Sequence, residues 1–137
     1  MDRAYDETSV FKPPTRDRAG LDISVERLDT RSVRVRIVGE LDLSTSKELE
    51  RELDGVFADG PRTSIVLDLR ELSFLDSTGL RALWTARQHT LSNGGTLVLD
   101  EPSDPVLRVL RMTRMDKVFH LRQEGAPRSG ELASPAP

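Results

Sequence analysis

Cysteine is absent from the 137 residues, which removes disulfides, thiol catalysis and cysteine-ligated metal together and suits a reducing compartment. Basic charge is not in excess: 20 Lys and Arg against 23 Asp and Glu leave a formal net charge of −3. Nothing global therefore draws the chain to nucleic acid or to an anionic membrane. No apolar run approaches the length of a membrane span. The segment from Met1 to Arg18 is charged throughout and lacks the apolar stretch of a secretory signal, so the expected location is the cytoplasm. The only two histidines, His89 and His120, have no partner at ligand spacing, and neither a metal nor a cofactor is expected.

The 36% hydrophobic content suffices for one modest core, not for two domains. Residues 1–19, with Pro13-Pro14 and many charges, read as a flexible extension, and residues 123–137, rich in Gly, Pro, Ala and Ser, as a flexible tail. Residues 20–122 form the folding unit. Leu21, Ile23 and Val25, then Val33, Val35 and Ile37, alternate with polar residues and predict an antiparallel hairpin. Thr45 with Glu48 reads as a capping box for a helix with the stripe Leu49, Leu53, Val56 and Phe57, stopped by Gly60-Pro61. A strand at Ile65 to Leu69, a helix from about Ser77 to Ser92 with Leu80, Leu83, Trp84 and Leu91 inward, and a strand at Leu97 to Leu99 make a parallel strand-helix-strand unit. Arg87 falls in that stripe, so its stem should pack while its head reaches solvent or an acid. Ser103 caps a third helix with Val106, Leu107 and Leu110 inward, and Val118 to Leu121 closes as a strand. The predicted fold is α/β, a mixed four- to five-stranded sheet with helices mainly packed on one face.

Asp76-Ser77-Thr78-Gly79-Leu80 is the most informative stretch, because two hydroxyls and a glycine stand where a strand gives way to a helix. Ser77 sits at or beside the helix N-cap, where free N–H groups and the macrodipole favour added negative charge. The same placement also suits an ordinary cap. Glycine in a first turn gives up roughly 0.8 to 1.0 kcal/mol against alanine, and a bare backbone admits close approach by another molecule. Glu40-Leu41-Asp42-Leu43-Ser44-Thr45 likewise follows a strand and opens a helix, so the two segments can form one ridge at the carboxyl ends of the strands. No G-x-S-x-G or S-x-x-K motif, no base and no P-loop is present, which argues against catalysis and against a nucleotide-hydrolysing domain. Arg108, Arg111 and Arg114 read as a solvated face, since no aromatic residues are interleaved for nucleic acid.

Val38-Gly39-Glu40-Leu41-Asp42, Ile65-Val66-Leu67-Asp68-Leu69, Leu72-Ser73-Phe74-Leu75-Asp76-Ser77-Thr78-Gly79-Leu80 and Gly94-Gly95-Thr96-Leu97-Val98-Leu99 resemble the STAS domain, specifically the free-standing bacterial anti-sigma factor antagonists. The resemblance runs from Leu21 to about Leu121, and its specific part is the long motif through Ser77. It implies a non-enzymatic switch. The serine after the motif aspartate, here Ser77, is phosphorylated by an anti-sigma factor that is itself a GHKL-type serine kinase. A PP2C-type phosphatase reverses this, and only the bare form binds the anti-sigma factor and frees the sigma factor. Thr78 stands where serine is also common and is the second choice. The resemblance also assigns partner contact to the loop holding Asp42. Together with the ridge, it gives the expected contact set Glu40, Asp42, Ser44, Thr45, Asp76, Ser77, Thr78, Gly79 and Arg81. The alternative is a constitutive STAS subunit of a larger assembly, such as a phospholipid-transport complex or a stressosome, in which Ser77 only caps a helix.

Overall fold

The structure, a computed structural model, describes residues 20–60 and 64–124. The expected extension at 1–19, the tail from residue 125 onward and Pro61 lie outside the described residues. Strands β1 (Leu21–Asp29) and β2 (Ser32–Leu41) form the expected hairpin and are followed by α1 (Ser46–Ala58) and β3 (Ser64–Asp68). Then come β4 (Leu72–Leu75), α2 (Ser77–Ser92), β5 (Leu97–Asp100), α3 (Asp104–Met112), a 3-10 turn (Met115–Lys117) and β6 (His120–Arg122). The strand order is β1-β2-β3-β5-β6, with β4 also on β2; among the described residues only β1 and β2 run antiparallel.

Among the described residues the sheet has six strands rather than four or five. The additional one, β4, is four residues long and buries only its two ends, Leu72 and Leu75, so it carries no alternation that a sequence reading could detect. The last strand begins at His120, two residues after the expected Val118, because Met115 to Lys117 wind into a turn first.

Alternation in the long strands decides where the core lies. Ile23, Val33, Val35, Ile37, Ile65, Leu67, Leu97 and Leu99 point to one face and join Leu49, Leu53 and Val56 of α1, Leu83 of α2 and Val106 and Leu110 of α3 in one cluster. Each such aliphatic side chain contributes about 1.5–3 kcal/mol when fully buried. Helix α2 is rotated relative to expectation. Gly79, Ala82, Leu83, Ala86 and Thr90 face inward, while Trp84 and Leu91 are exposed. Small inward residues let the helix lie close to the sheet, and Thr90 satisfies its hydroxyl by donating to the Ala86 carbonyl at 2.7 Å. Arg87 finds no acid among the described residues; its guanidinium lies 5.4 Å from the Trp84 ring centroid and donates to Gln88. On the other flank of α2, His89 stacks on Phe57 with centroids 4.0 Å apart, which ties α2 to α1.

The opposite face of the sheet is charged. Arg36, Asp68, Asp100 and Arg122 stand in register across β2, β3, β5 and β6. Asp100 is buried and accepts from Arg34 at 3.1 Å and from Arg122 at 2.8 Å. Burial opposes ionisation of Asp100, yet the hydrogen bonds from Arg122 and Arg34 prevail and hold its carboxyl below the ordinary range. A carboxylate depressed in the folded state adds stability that is complete above the unfolded-state range near about pH 4 and is lost as pH falls through the folded value. Asp100→Asn should therefore lower stability at pH 7 by about 1–2 kcal/mol, moderated because both guanidinium groups keep solvent contact. In denaturant unfolding at pH 7 and pH 3, the gap between wild type and Asp100→Asn should be smaller at pH 3; an unchanged gap would contradict this account.

Candidate functional site

β2 changes partner along its length. Its first part pairs with β3, from Ser32↔Ser64 to Arg36↔Asp68, and its last part with β4, from Gly39↔Leu72 to Leu41↔Leu75. Gly39 sits at the changeover with φ +118, and a side chain there would collide with the carbonyl of Gly20. The carbonyl of Gly20 instead accepts from the Glu40 N–H at 3.0 Å. This arrangement brings the ends of β2 and β4 side by side, and the Asp76 N–H donates to the Leu41 carbonyl at 3.3 Å. The helix starts of α1 and α2 thus form the expected ridge.

Within the ridge, Asp42 organises the loop before α1. Its Oδ1 accepts from the Ser44 N–H at 2.9 Å, the Ser44 hydroxyl at 2.7 Å and the Thr45 hydroxyl at 3.2 Å. The hydrogen bond from the Ser44 hydroxyl is the main cause that keeps the Asp42 carboxyl below its ordinary value, against the opposing effect of burial. Thr45 is buried and is the N-cap residue of α1, but its side chain makes no cap hydrogen bond. Its single hydroxyl proton is shared between the Glu40 carbonyl at 2.8 Å and the more distant Asp42 Oδ1, and its oxygen accepts from the Asp42 N–H at 3.0 Å. The threonine half of the expected capping box is therefore not formed: the loop's own backbone groups lie nearer to that hydroxyl than the helix does. Glu40 and Ser44 are exposed and Asp42 is half-buried.

On the second segment the cap is Asp76, whose Oδ1 accepts from the Gly79 N–H at 2.8 Å. Ser77 is the first residue of α2. It is exposed, and among the described residues its hydroxyl has no hydrogen-bond partner. The first-turn N–H groups of Ser77 and Thr78 have no intrahelical acceptor. Thr78 is half-buried and Arg81 is exposed one turn on. Gly79 differs from expectation. It is buried, and a methyl group there would overlap the Leu41 carbonyl oxygen and lie 2.9 Å from Leu41 Cγ and Leu75 Cδ1. Its missing side chain admits β2, not a visiting molecule.

Two apolar side chains that the sequence reading did not single out also lie in these segments: Leu43, 75% exposed, and Phe74, 45% exposed and paired in register with Glu40. The detectable signal was Leu43 itself, an apolar residue set among Asp42, Ser44 and Thr45. No group of His, Cys, Asp and Glu among the described residues could hold a metal ion, and no helix there is long and apolar enough to cross a membrane. Because the overlap at Gly79 is with backbone, Gly79→Ala should destabilise the fold by about 1–3 kcal/mol despite alanine's better helix propensity. Chemical denaturation measures this, and a variant as stable as wild type would refute the packing argument.

Comparison with known proteins places this geometry in a family. The STAS domain model matches residues 23–126. The anti-sigma F factor antagonist of Paenibacillus polymyxa is 32% identical over 85 residues, covering 62% of this chain and 73% of that protein. The anti-sigma-B factor antagonist of Staphylococcus aureus is 32% identical over 89 residues, 65% of this chain and 82% of that one. Among solved structures, an anti-sigma factor antagonist from Mycobacterium paratuberculosis superimposes with a TM-score of 0.67 at 28% identity, over 80% of this chain and 90% of that one. The antagonist SpoIIAA in its unphosphorylated form gives 0.65 at 20% identity, over 82% and 99%, and so shares the fold. With the model spanning most of the described residues and the six-stranded sheet matching in architecture, this chain belongs to the STAS domain family.

Proposed function

We propose that this chain is an anti-sigma factor antagonist whose ridge binds an anti-sigma factor, and that phosphorylation of Ser77 closes that surface. The observation that carries the reading is the Ser77 hydroxyl, exposed and unpartnered among the described residues at the first position of α2, beside a loop already ordered by Asp42. The names of the relatives support the general role. SpoIIAA, which shares the fold, has been solved in both an unphosphorylated and a phosphorylated form. The modifying partner on this reading is a GHKL-type serine kinase, and a PP2C-type phosphatase resets the switch.

The chain's own residues supply the physics. A phosphate on Ser77 adds about −1.5 to −2 charges and can accept from the free N–H groups of the first turn, so the fold tolerates it. Asp76 already spends one carboxylate oxygen on the Gly79 N–H, which keeps that cap formed. The burden falls on the complex. A partner surface shaped to cover Leu43, Phe74 and the bare hydroxyl would have to bury a dianion near Asp42 and Asp76, and each 1.4 kcal/mol of that cost is about a tenfold loss in affinity.

The test is incubation with ATP and candidate anti-sigma kinases, followed by peptide mass spectrometry and titration of the complex. Ser77→Ala should bind like wild type and take no phosphate. The phosphorylated protein should bind at least about tenfold more weakly with an unchanged unfolding midpoint. A phosphate mapped to Thr78 or elsewhere, or equal binding by both forms, would refute the gate; co-purification with transporter or stressosome subunits and no phosphate would favour a constitutive subunit.

A further inference from the structure

A second surface lies on α3, away from the ridge. Val106, Leu107 and Leu110 fill its inward face, so at 100° per residue Met112 points almost directly outward, with Arg108 beside it and Arg111 further round on the same side. Met112 is 75% exposed. Arg114 and Lys117 follow in the turn, and all four cations are exposed. Among the described residues none of them forms an ion pair, whereas Arg27, Arg34, Arg36 and Arg122 on the strands each pair with an acid. In a chain of net charge −3, α3 and the turn after it hold four cations, Arg108, Arg111, Arg114 and Lys117, against two acids, Asp104 and Asp116.

Arg114 adds an independent sign. It occupies the left-handed position just past the end of α3, with φ +65, where glycine fits without a side-chain penalty. This chain does use glycine at the comparable place just past α2, at Gly94 with φ +82. The other non-glycine exception among the described residues is Glu101, φ +54, and there the side chain has work: its Oε2 accepts from the Glu124 N–H at 2.6 Å. Arg114 bears the same strain with no partner for its guanidinium among the described residues. Strain of this kind is a pointer to function when nothing inside the fold uses the side chain.

We propose that the outward face of α3 and the turn after it bind an acidic segment of a partner protein, which pairs with Arg108, Arg111 and Arg114 and seats Met112 against an apolar residue. A nucleic acid is a poorer fit because no aromatic side chain in the patch offers a stacking platform. A membrane is poorer because the apolar stripe of α3 is already in the core, leaving Met112 and Val118 alone to insert. Since β5 and β6 are parallel, the chain between them runs back along the sheet, which puts Arg114 toward the end where those strands begin. Ser77 stands where β4 ends. This surface can thus be occupied whatever the state of the ridge, and it does not rest on the antagonist reading.

The experiment uses the full chain with a fluorescent 16-residue amphipathic peptide, glutamate-rich on one face and leucine-bearing on the other. Parallel titrations use an oligo-dT of equal length and vesicles containing phosphatidylserine. The peptide should bind with shifts confined to α3 and its turn, more weakly as salt is raised, and equally to wild type and Ser77→Asp. Met112→Ser should weaken it several-fold. Arg114→Gly is the decisive variant: it should raise the unfolding midpoint by relieving the left-handed strain while weakening the peptide about tenfold. Binding unchanged in Arg114→Gly, shifts centred on the ridge, or tighter binding to the oligonucleotide or the vesicles would each overturn the proposal.

Discussion

The contact on which the candidate site depends is the one between the bare α-carbon of Gly79 and the Leu41 carbonyl. It lets the first turn of α2 rest against the last residue of β2, and the Asp76 N–H bond to the same carbonyl completes the seam. Everything on the ridge follows from that closeness. Were α2 lifted by the thickness of a methyl group, Asp42 and Ser77 would belong to two separate helix starts instead of one surface.

Electrostatics then distributes the work among three neighbouring oxygen-bearing side chains. Asp42 ties down its own loop through Ser44 and Thr45, and Asp76 ties down the first turn of α2. Each carboxylate is committed to local backbone or hydroxyl groups, which ties each loop to the helix it opens. Ser77 is left as the uncommitted group. On the function proposed above, an interface built this way would lose little conformational entropy on binding, and its sensitivity to charge would be concentrated at one atom.

How much of this was legible in the sequence depended on the physical signal. The hairpin, the three helices and the two helix starts were readable because alternation in Leu21 to Val25 and Val33 to Ile37, and the breaks at Asp42 and Asp76, are strong local patterns. β4 was not, since four residues with both ends buried follow neither period. The rotation of α2 was missed because large apolar residues were counted and Ala82, Ala86 and Thr90 were not, although close helix-to-sheet packing favours small side chains. Thr45 and Glu48 matched a capping pattern, yet the carbonyl of Glu40, two residues before the loop aspartate, claimed the hydroxyl. Gly79 was noticed for the right reason, a missing side chain, and assigned to the wrong neighbour. Only tertiary context could tell an incoming molecule from the end of β2. Leu43 and Phe74 show the same limit, since exposure of an apolar residue is a property of the packed chain.

The divided pairing of β2 has one more consequence. Between its two partners the chain makes only the short turn of Leu69, Arg70 and Glu71, pinned by the Leu72 N–H to the Leu69 carbonyl and by the Arg36–Glu71 pair. That turn acts as a shim: its length sets how high β4 slides along β2, and with it the elevation of the hydroxyl above the sheet. A residue inserted or deleted there would present that hydroxyl at a different height while the hydrophobic interior stays as it is.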